Sequence, residues 1–352
     1  MPKVLQITGY SPSDIGIIFA SAPLVRFLVP FLFLKYISFT QNTFKSALLL
    51  TFITSLFFYI TLDSFWALLI TNIFLGIGMS LSAPYVDSFA LSHMPKSMYG
   101  KVRLFGSVGF ILVSLVLVNH LEPVTNALIY LSISSFITLF FGLFILSYEN
   151  KLNITETIQT QEFSILKHWP LWLSLFLMQM AFGAFYNFFT IYASSYDIGI
   201  QSLNISSLDM TIYLWSFGVI CEIVMLYFQA PLLKNNLLKV LQFAVAVTVF
   251  RWVLLSIFPE NINILFFSQS LHAFSFALYH SAAIMYLHSI YENKKLSQQF
   301  FAGIAYGAGG FIGAISSGYI YEISPKGLYM AAAFITLASF IFLTVETKRT
   351  IA

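Results

Sequence analysis

Charged residues are scarce in this sequence, and their scarcity excludes an ordinary soluble domain. Only 9% of the 352 residues are Asp, Glu, Lys or Arg, whereas 59% are hydrophobic. A soluble domain carries about 25% charged residues, because they cover its surface. We therefore predict a membrane protein whose surroundings are the lipid bilayer and which has no nucleic-acid partner.

Cysteine and catalytic motifs are also scarce. Cys221 is the single cysteine and lies inside an apolar run, which excludes an intrachain disulfide. The sequence shows no metal-ligand cluster and no catalytic triad, and its glycine-rich stretches lack the strand and the Gly-Lys-Ser/Thr ending of a nucleotide-binding loop. An enzyme is therefore disfavoured, and we expect no cofactor, with protons acting only as a coupling ion.

Apolar runs, mostly long enough to cross about 30 Å of hydrocarbon as helices, make up most of the chain. They predict an all-α polytopic fold with eleven membrane helices. The predicted spans are 14–34, 46–62, 65–92, 103–120, 125–147, 170–193, 209–229, 236–257, 262–289, 299–321 and 327–345. The polar stretch 148–168 predicts a cytoplasmic linker between an N-terminal bundle of five helices (1–147) and a C-terminal bundle of six (169–352).

Lysine and arginine are distributed unevenly between alternate loops, and they are retained on the cytoplasmic side of a membrane. One side holds only Lys3 and Lys326. The other holds Lys35, Lys45, Lys96, Lys101, Arg103, Lys151, Lys167, Lys234, Lys239, Lys294, Lys295, Lys348 and Arg349. We therefore predict a multi-pass protein of the cell inner membrane, with a cytoplasmic C-terminus and residues 1–13 outside.

The two halves of the sequence resemble each other. The alignment pairs Arg26 with Glu222, Asp87 with His280, and the GSVGFI segment (106–111) with GAGGFI (307–312). Two similar halves are typical of six-plus-six transporters. An external N-terminus with no helix before it therefore leads us to expect a first helix that is missing here, with a true eleven-helix protein as the alternative.

Ionisable side chains inside the apolar runs are the candidates for function, because each costs at least about 2.5–3.5 kcal/mol to insert into a membrane. They are Arg26, Asp87, Glu222, Arg251, His272 and His280, with Arg103 at the membrane edge. In a regular α-helix His272 and Tyr279 share a face, and His280 lies about 80° away. Carboxylates and imidazoles can exchange protons near neutral pH, so we predict that Glu222 couples proton movement together with a histidine.

Structural roles for these residues stay open as alternatives. The arginines Arg26 and Arg251 could form ion pairs that hold the bundle together, and Arg103 could act only as a positive-inside charge. Both histidines could be hydrogen-bonded packing residues. Aromatic residues that could stack on a substrate, which include Trp215 and Tyr279, could equally serve packing alone.

Several motifs resemble the major facilitator superfamily. YGKVRLFGS (99–107), YLWSFGVICE (213–222), VFRW (249–252) and LHAF (271–274) are similar in order and spacing to its phenylpropionate permease branch. APYVDSF (83–89) and RLFGSVGF (103–110) are more distantly similar to lactose permease. The resemblance covers nearly the whole chain from Ser11 and implies two six-helix bundles that move about a central site.

This resemblance also implies roles for individual residues. Asp87, Arg103 and Phe110 match substrate-site positions of lactose permease, and Arg251 and His272 match its helix-nine arginine and helix-ten histidine. Glu222 lies on the helix that carries its essential glutamate. Ser275 and Gln269 replace a glutamate and a lysine that flank the histidine there, so the resemblance does not imply the same proton route.

Together these features predict a proton-coupled symporter, monomeric, of a small organic solute, with an aromatic carboxylate such as phenylpropionate favoured. Asp87, Arg103, Phe110, Arg251, Tyr279 and Trp215 are the predicted substrate-binding residues, Glu222, His272 and His280 the proton-coupling residues, and Arg26 an additional buried charge. A sugar or nucleoside symporter is the first alternative and an exporter of a hydrophobic compound the second. A non-transporting membrane sensor or assembly protein is the alternative from another class.

Overall fold

The apolar runs fold as long helices in the structure, a computed structural model. It describes residues 2–35, 40–93, 96–118, 120, 123–149, 164–234, 236–292 and 294–351. Within these ranges only the backbone is described for 29–35, 83–84, 87–93, 96–103, 124, 147–149, 294–296 and 350–351. The predicted linker 148–168 lies largely outside the described residues, so the division into two domains stays a prediction.

The helices follow one another with short connections. They are α1 (Pro2–Ile7), α2 (Pro12–Lys35), α3 (Gln41–Thr61), α4 (Phe65–His93), α5 (Lys96–Val116), α6 (Val124–Glu149), α7 (Trp169–Ser194), α8 (Ser207–Phe228), α9 (Leu237–Ile257), α10 (Ile262–Ser270), α11 (Tyr279–Ile290), α12 (Lys294–Phe301), α13 (Gly310–Ile323) and α14 (Gly327–Ile351). A π-helical segment, Ala273–Leu278, joins α10 to α11, and a second, Ala302–Gly309, joins α12 to α13.

The all-helical prediction is confirmed, and each of the eleven predicted spans coincides with one long helix or with two helices joined through a π-helical segment. Eight stretches of the described chain are long and apolar enough to cross a membrane. They are Gln41–Thr61, Phe65–Ser82, Thr125–Leu146, Leu166–Ser194, Ser207–Phe228, Leu237–Ile257, Ser297–Ile323 and Gly327–Arg349.

The short helix α1 was not predicted from the sequence. It is too short to show the periodicity of a membrane span, yet Val4 is 0% and Leu5 1% exposed. The helix packs on α7 and α2, so its apolar side chains are covered by tertiary contacts. Residues 2–7 are therefore ordered structure and not a tail before α2.

The described chain has two apolar cores, and the larger one, centred in the second half, extends into the first half through Ile15 and Ile18 of α2. In the first half α3 packs on α4 and α6, and the rings of Phe44 and Tyr85 stack at 4.2 Å. The larger core of the second half forms around α7, which packs between α13 and α14. Gly183 and Gly313 permit this contact, because a Cβ on Gly183 would lie 2.4 Å from the Gly313 carbonyl carbon.

Besides the contact of α1 with α7, the two halves meet mainly at two places in the described chain. On one side α2 packs on α13 and on the π-helical segment before it, and on the other side α5 packs on α8. The first contact includes the end of the molecule where α2 begins, which the loop charges predict to face outward. There the Ser13 amide donates to Glu322 Oε2 at 3.2 Å.

Two glycines allow α2 and α13 to pack closely at the outer end of the molecule. A Cβ on Gly318 would lie 2.7 Å from the Pro12 carbonyl oxygen, and one on Gly16 would lie 2.7 Å from the Ala314 carbonyl oxygen. Both obstacles are backbone atoms, which cannot move as a side chain can. Closure of the halves at this end therefore depends on the absence of side chains at both positions.

We expect Gly318→Leu to separate the two halves at the outer end. An inserted side chain in a close contact costs about 1–3 kcal/mol, which shifts a two-state equilibrium about 5- to 150-fold. Spin labels on Asp63→Cys and Lys326→Cys, in a Cys221→Ser background, should report a longer distance in the variant. The matched change Gly106→Leu, where a Cβ meets nothing within 4 Å, should leave the distance unchanged; equal distances in all three proteins would contradict this role of Gly318.

Candidate substrate and proton site

Arg251 of α9 is the centre of a buried polar network, and its side chain is 0% exposed. Its Nη1 donates to His272 Nδ1 and to Ser275 Oγ, both at 3.1 Å, and its Nη2 donates to Gln269 Oε1 at 3.0 Å. The three acceptors lie on α10 or at the π-helical segment that follows it. These hydrogen bonds therefore hold α9 against α10 and the π-helical segment that follows it.

Aromatic rings enclose the same guanidinium. Arg251 Cζ lies 4.2 Å from the ring centroid of Phe185 and 4.8 Å from that of Trp252. A cation over a ring face gains about 2 kcal/mol when it is desolvated. Rings and acceptors thus surround Arg251, which favours a positioning role over direct contact with a solute.

His272 lies between Arg251 and Glu222 and contacts both. A guanidinium can only donate, so the Nδ1 that it faces must accept, and a neutral His272 ring then carries its proton on Nε2. This Nε2 lies 3.5 Å from Glu222 Oε2. The histidine is therefore oriented by its arginine neighbour to present an N–H group to the carboxylate.

Glu222 of α8 connects this network to the other half of the chain. Its Oε1 accepts a hydrogen bond from Ser107 Oγ of α5 at 3.2 Å, and its side chain is mostly buried. Glu222 therefore contacts both α5 of the first half and the buried network around Arg251 in the second half.

Aromatic residues line the same contact. The ring of Trp215 lies 4.3 Å from that of Phe185 and 6.1 Å from that of Phe110, which belongs to α5. The Trp215 Nε1 donates to Thr190 Oγ1 at 3.0 Å, which fixes the indole. Phe110 and Trp215, both predicted to bind substrate, therefore meet between the halves, and Phe110 is 45% exposed there.

His280 belongs to a separate contact. Its Nδ1 lies 2.7 Å from the hydroxyl of Tyr306, which is part of the second π-helical segment. The ring of Phe276 stacks on His272 at 5.2 Å and on His280 at 6.1 Å. This column of three rings differs from the α-helical prediction that His280 lies about 80° from His272, because the intervening π-helical segment has wider turns.

The other predicted residues lie in different surroundings. Tyr279 is 1% exposed within the core of the second half. Asp87 and Arg103 lie on α4 and α5, but their side chains are outside the described residues. The side chain of Arg26 on α2 is exposed on the surface of the helix bundle, and its prediction as a charge buried in the membrane stays a prediction. The substrate-binding and proton-coupling roles of these residues stay predictions.

Sequence reasoning missed several partners in the network. Gln269 and Ser275 were noted only as replacements, yet both accept hydrogen bonds from Arg251. Their spacing with His272, at three-residue intervals on one helix, was an available signal, because such residues share a face. Phe185 gave no such signal, since it is one of 39 phenylalanines.

The fold and this site define the class of the protein. Apolar spans in two similar halves, with ionisable side chains buried where the halves meet, are the arrangement of a secondary transporter. A model of the MFS_1 like family matches residues 1–331. The chain therefore belongs to this family and is a membrane transporter of the major facilitator type, not an enzyme.

Two relatives are similar along almost the whole chain. The "Probable 3-phenylpropionic acid transporter" of Escherichia coli (strain K12) is 25% identical over 361 residues, covering 95% of this chain and 89% of the relative. The "Uncharacterized transporter YwbF" of Bacillus subtilis (strain 168) is 25% identical over 351 residues, covering 94% and 84%.

Solved structures of major facilitator transporters share the fold. The nucleoside transporter NupG superimposes with a TM-score of 0.74 at 14% identity, covering 98% of this chain and 93% of that one. FucP in the outward conformation gives a TM-score of 0.62 at 12% identity, covering 95% and 89%. These similarities confirm the predicted architecture.

Proposed function

We propose that this transporter is a symporter that carries a small organic solute together with a proton, and that an aromatic carboxylate is its substrate. The observation that carries the proposal is the position of Glu222. This titratable carboxylate joins Ser107 of one half to His272 of the other. The name of the Escherichia coli relative supports the substrate class.

Coupling requires that proton and substrate bias the same equilibrium between two arrangements of the halves. Protonation of Glu222 removes a negative charge from the contact between α5 and α8. That contact then weakens, while a carboxylate substrate between the halves supplies a replacement charge. Arg251 keeps His272 oriented in both arrangements because its three acceptors lie within the second half.

Uptake into proteoliposomes tests the proposal. Labelled 3-phenylpropionate, lactose and a nucleoside are offered with and without a pH gradient across the membrane. We expect 3-phenylpropionate to accumulate inside the vesicles only when the pH gradient drives protons inward. Accumulation of the nucleoside or lactose instead would refute the substrate class, and failure of every solute to move would favour the membrane sensor.

The remaining assignments belong to the same proposal. We place the protein in the cell inner membrane as a monomer with a cytoplasmic C-terminus, which the loop charges support. Phe110 and Trp215 would contact the aromatic part of the substrate. Asp87 and Arg103 would lie on the opposite side of the site, on α4 and α5.

A further inference from the structure

Arg26 differs from Arg251 in the exposure and in the hydrogen bonds of its guanidinium. Arg251 is fully buried and donates to three acceptors. Arg26 is exposed, and none of the side chains that the structure describes forms a hydrogen bond or an ion pair with it. A guanidinium with unused donors can recognise a carboxylate, because two of its five N–H groups match the two oxygens.

Arg26 lies well inside the span 14–34 that the sequence predicts, which forms most of α2. Fourteen residues separate it from Pro12, where α2 begins, which is about 21 Å along a helix. A charge at such depth faces a cavity or a partner in nearly all membrane proteins, because lipid contact is costly. Arg26 therefore requires either water or an anion next to it.

Neighbouring contacts show which way the residue faces. A Cβ on Gly307 would lie 2.7 Å from Phe27 Cα, so α2 crosses the second π-helical segment next to Arg26. Tyr306, which precedes Gly307, and Tyr186 of α7 are both close enough to interact electrostatically with the guanidinium. Arg26 thus faces the second half of the chain.

Tyr186 marks an opening between these helices. It is 40% exposed, although its helix is among the most buried of the spans. Glu222, Arg251 and Arg26 lie within electrostatic range of its hydroxyl, and they come from three other helices. The ring of Tyr186 lies 5.9 Å from that of Phe185, which also contacts Trp215 and Arg251, so Tyr186 lies beside the aromatic cluster of the candidate site.

We infer that Arg26, with the hydroxyls of Tyr186 and Tyr306, is the binding site for the carboxylate of the substrate. The inference rests on the proposed function and names the residue that holds the anionic group. The carboxylate would accept from the guanidinium and from the Tyr186 hydroxyl. It would also accept from the Tyr306 hydroxyl, with His280 Nδ1 then donating to the Tyr306 oxygen. The aromatic part would then lie on the side of the rings around Trp215.

Calorimetric titration of the full-length purified chain tests the inference with two probes, 3-phenylpropionate and its neutral amide. In Arg26→Gln we expect at least a tenfold weaker affinity for the carboxylate, about 1.4 kcal/mol, and an unchanged affinity for the amide. The matched variant Arg349→Gln, which alters an exposed arginine at the end of α14, should bind both probes as the wild type does.

Two results would overturn the inference while leaving the proposed function intact. One is a wild-type affinity for the carboxylate in Arg26→Gln. The other is its loss in Arg103→Gln but not in Arg26→Gln. If the wild type binds a nucleoside or lactose and no carboxylate, the proposed substrate and the role of Arg26 both fall.

A measurement on the wild type does not depend on the folding of variants. Phenylglyoxal modifies accessible arginines, and peptide mass spectrometry identifies each modified site. We expect labelling of Arg26 that saturating 3-phenylpropionate suppresses at least tenfold, constant labelling of Arg349, and none of Arg251. Labelling of Arg26 that bound carboxylate leaves unchanged would overturn the inference.

Discussion

Glu222→Gln is expected to abolish the accumulation of substrate while leaving its exchange across the membrane. A carboxylate that enters with one proton carries no net charge, so only the pH difference drives its uptake. One pH unit is worth 1.36 kcal/mol, or a tenfold concentration ratio. Glutamine keeps the size and the hydrogen-bonding oxygen of glutamate but cannot be protonated. The concentration ratio of substrate across the membrane should therefore fall from about 10 to about 1.

Proteoliposomes with a gradient of one pH unit provide the measurement. Net accumulation and equilibrium exchange of labelled 3-phenylpropionate are recorded for the wild type and for Glu222→Gln. Glu260→Gln makes the same chemical change at an exposed position between α9 and α10 and should behave as the wild type. Full accumulation in Glu222→Gln would mean that another group carries the proton, with His280 the next candidate.

Arg251→Met is expected to cause the largest loss of stability. The substitution leaves the acceptors on His272, Ser275 and Gln269 without their donor, and it leaves Glu222 as an uncompensated buried charge. Removing one member of a buried charged network costs about 3–5 kcal/mol. We expect the free energy of unfolding in mixed micelles to decrease by this amount.

A double variant separates the charge from the packing. In a Glu222→Gln background the same Arg251→Met change should cost at least about 1 kcal/mol less, because no buried negative charge remains. Arg349→Met, at the exposed end of α14, should alter stability by less than about 0.5 kcal/mol. If Arg251→Met unfolds at the wild-type denaturant concentration, the network does not stabilise the second half.

The positions and order of the long helices were predictable because a bilayer imposes a minimum length on each apolar run. The loop charges predict an orientation through the retention of Lys and Arg on the cytoplasmic side, and this orientation stays a prediction. Helix α1 escaped prediction because six residues cannot show a membrane span. The π-helical segments were not predicted because the change to i→i+5 hydrogen bonds has no recognisable signature in the sequence.

The buried network was predictable in part. Arg251, His272 and Glu222 stood out as ionisable groups in apolar runs, and the structure brings these three together. Their order along the network depends on helix packing, which residue spacing within one helix cannot give. Arg26 illustrates the limit: the sequence shows that it lies in a membrane span but not whether a neighbour covers it.

The ring of Phe276 between His272 and His280 has a consequence for energy conservation. A phenyl group offers neither a lone pair nor a transferable hydrogen, so it acts as an insulator in the direct line between the two imidazoles. In the proposed proton symport, a continuous chain of titratable groups would let protons cross the membrane without the substrate. The phenyl ring between the two imidazoles would prevent direct proton transfer from His272 to His280, so that protons could not bypass the substrate along this path.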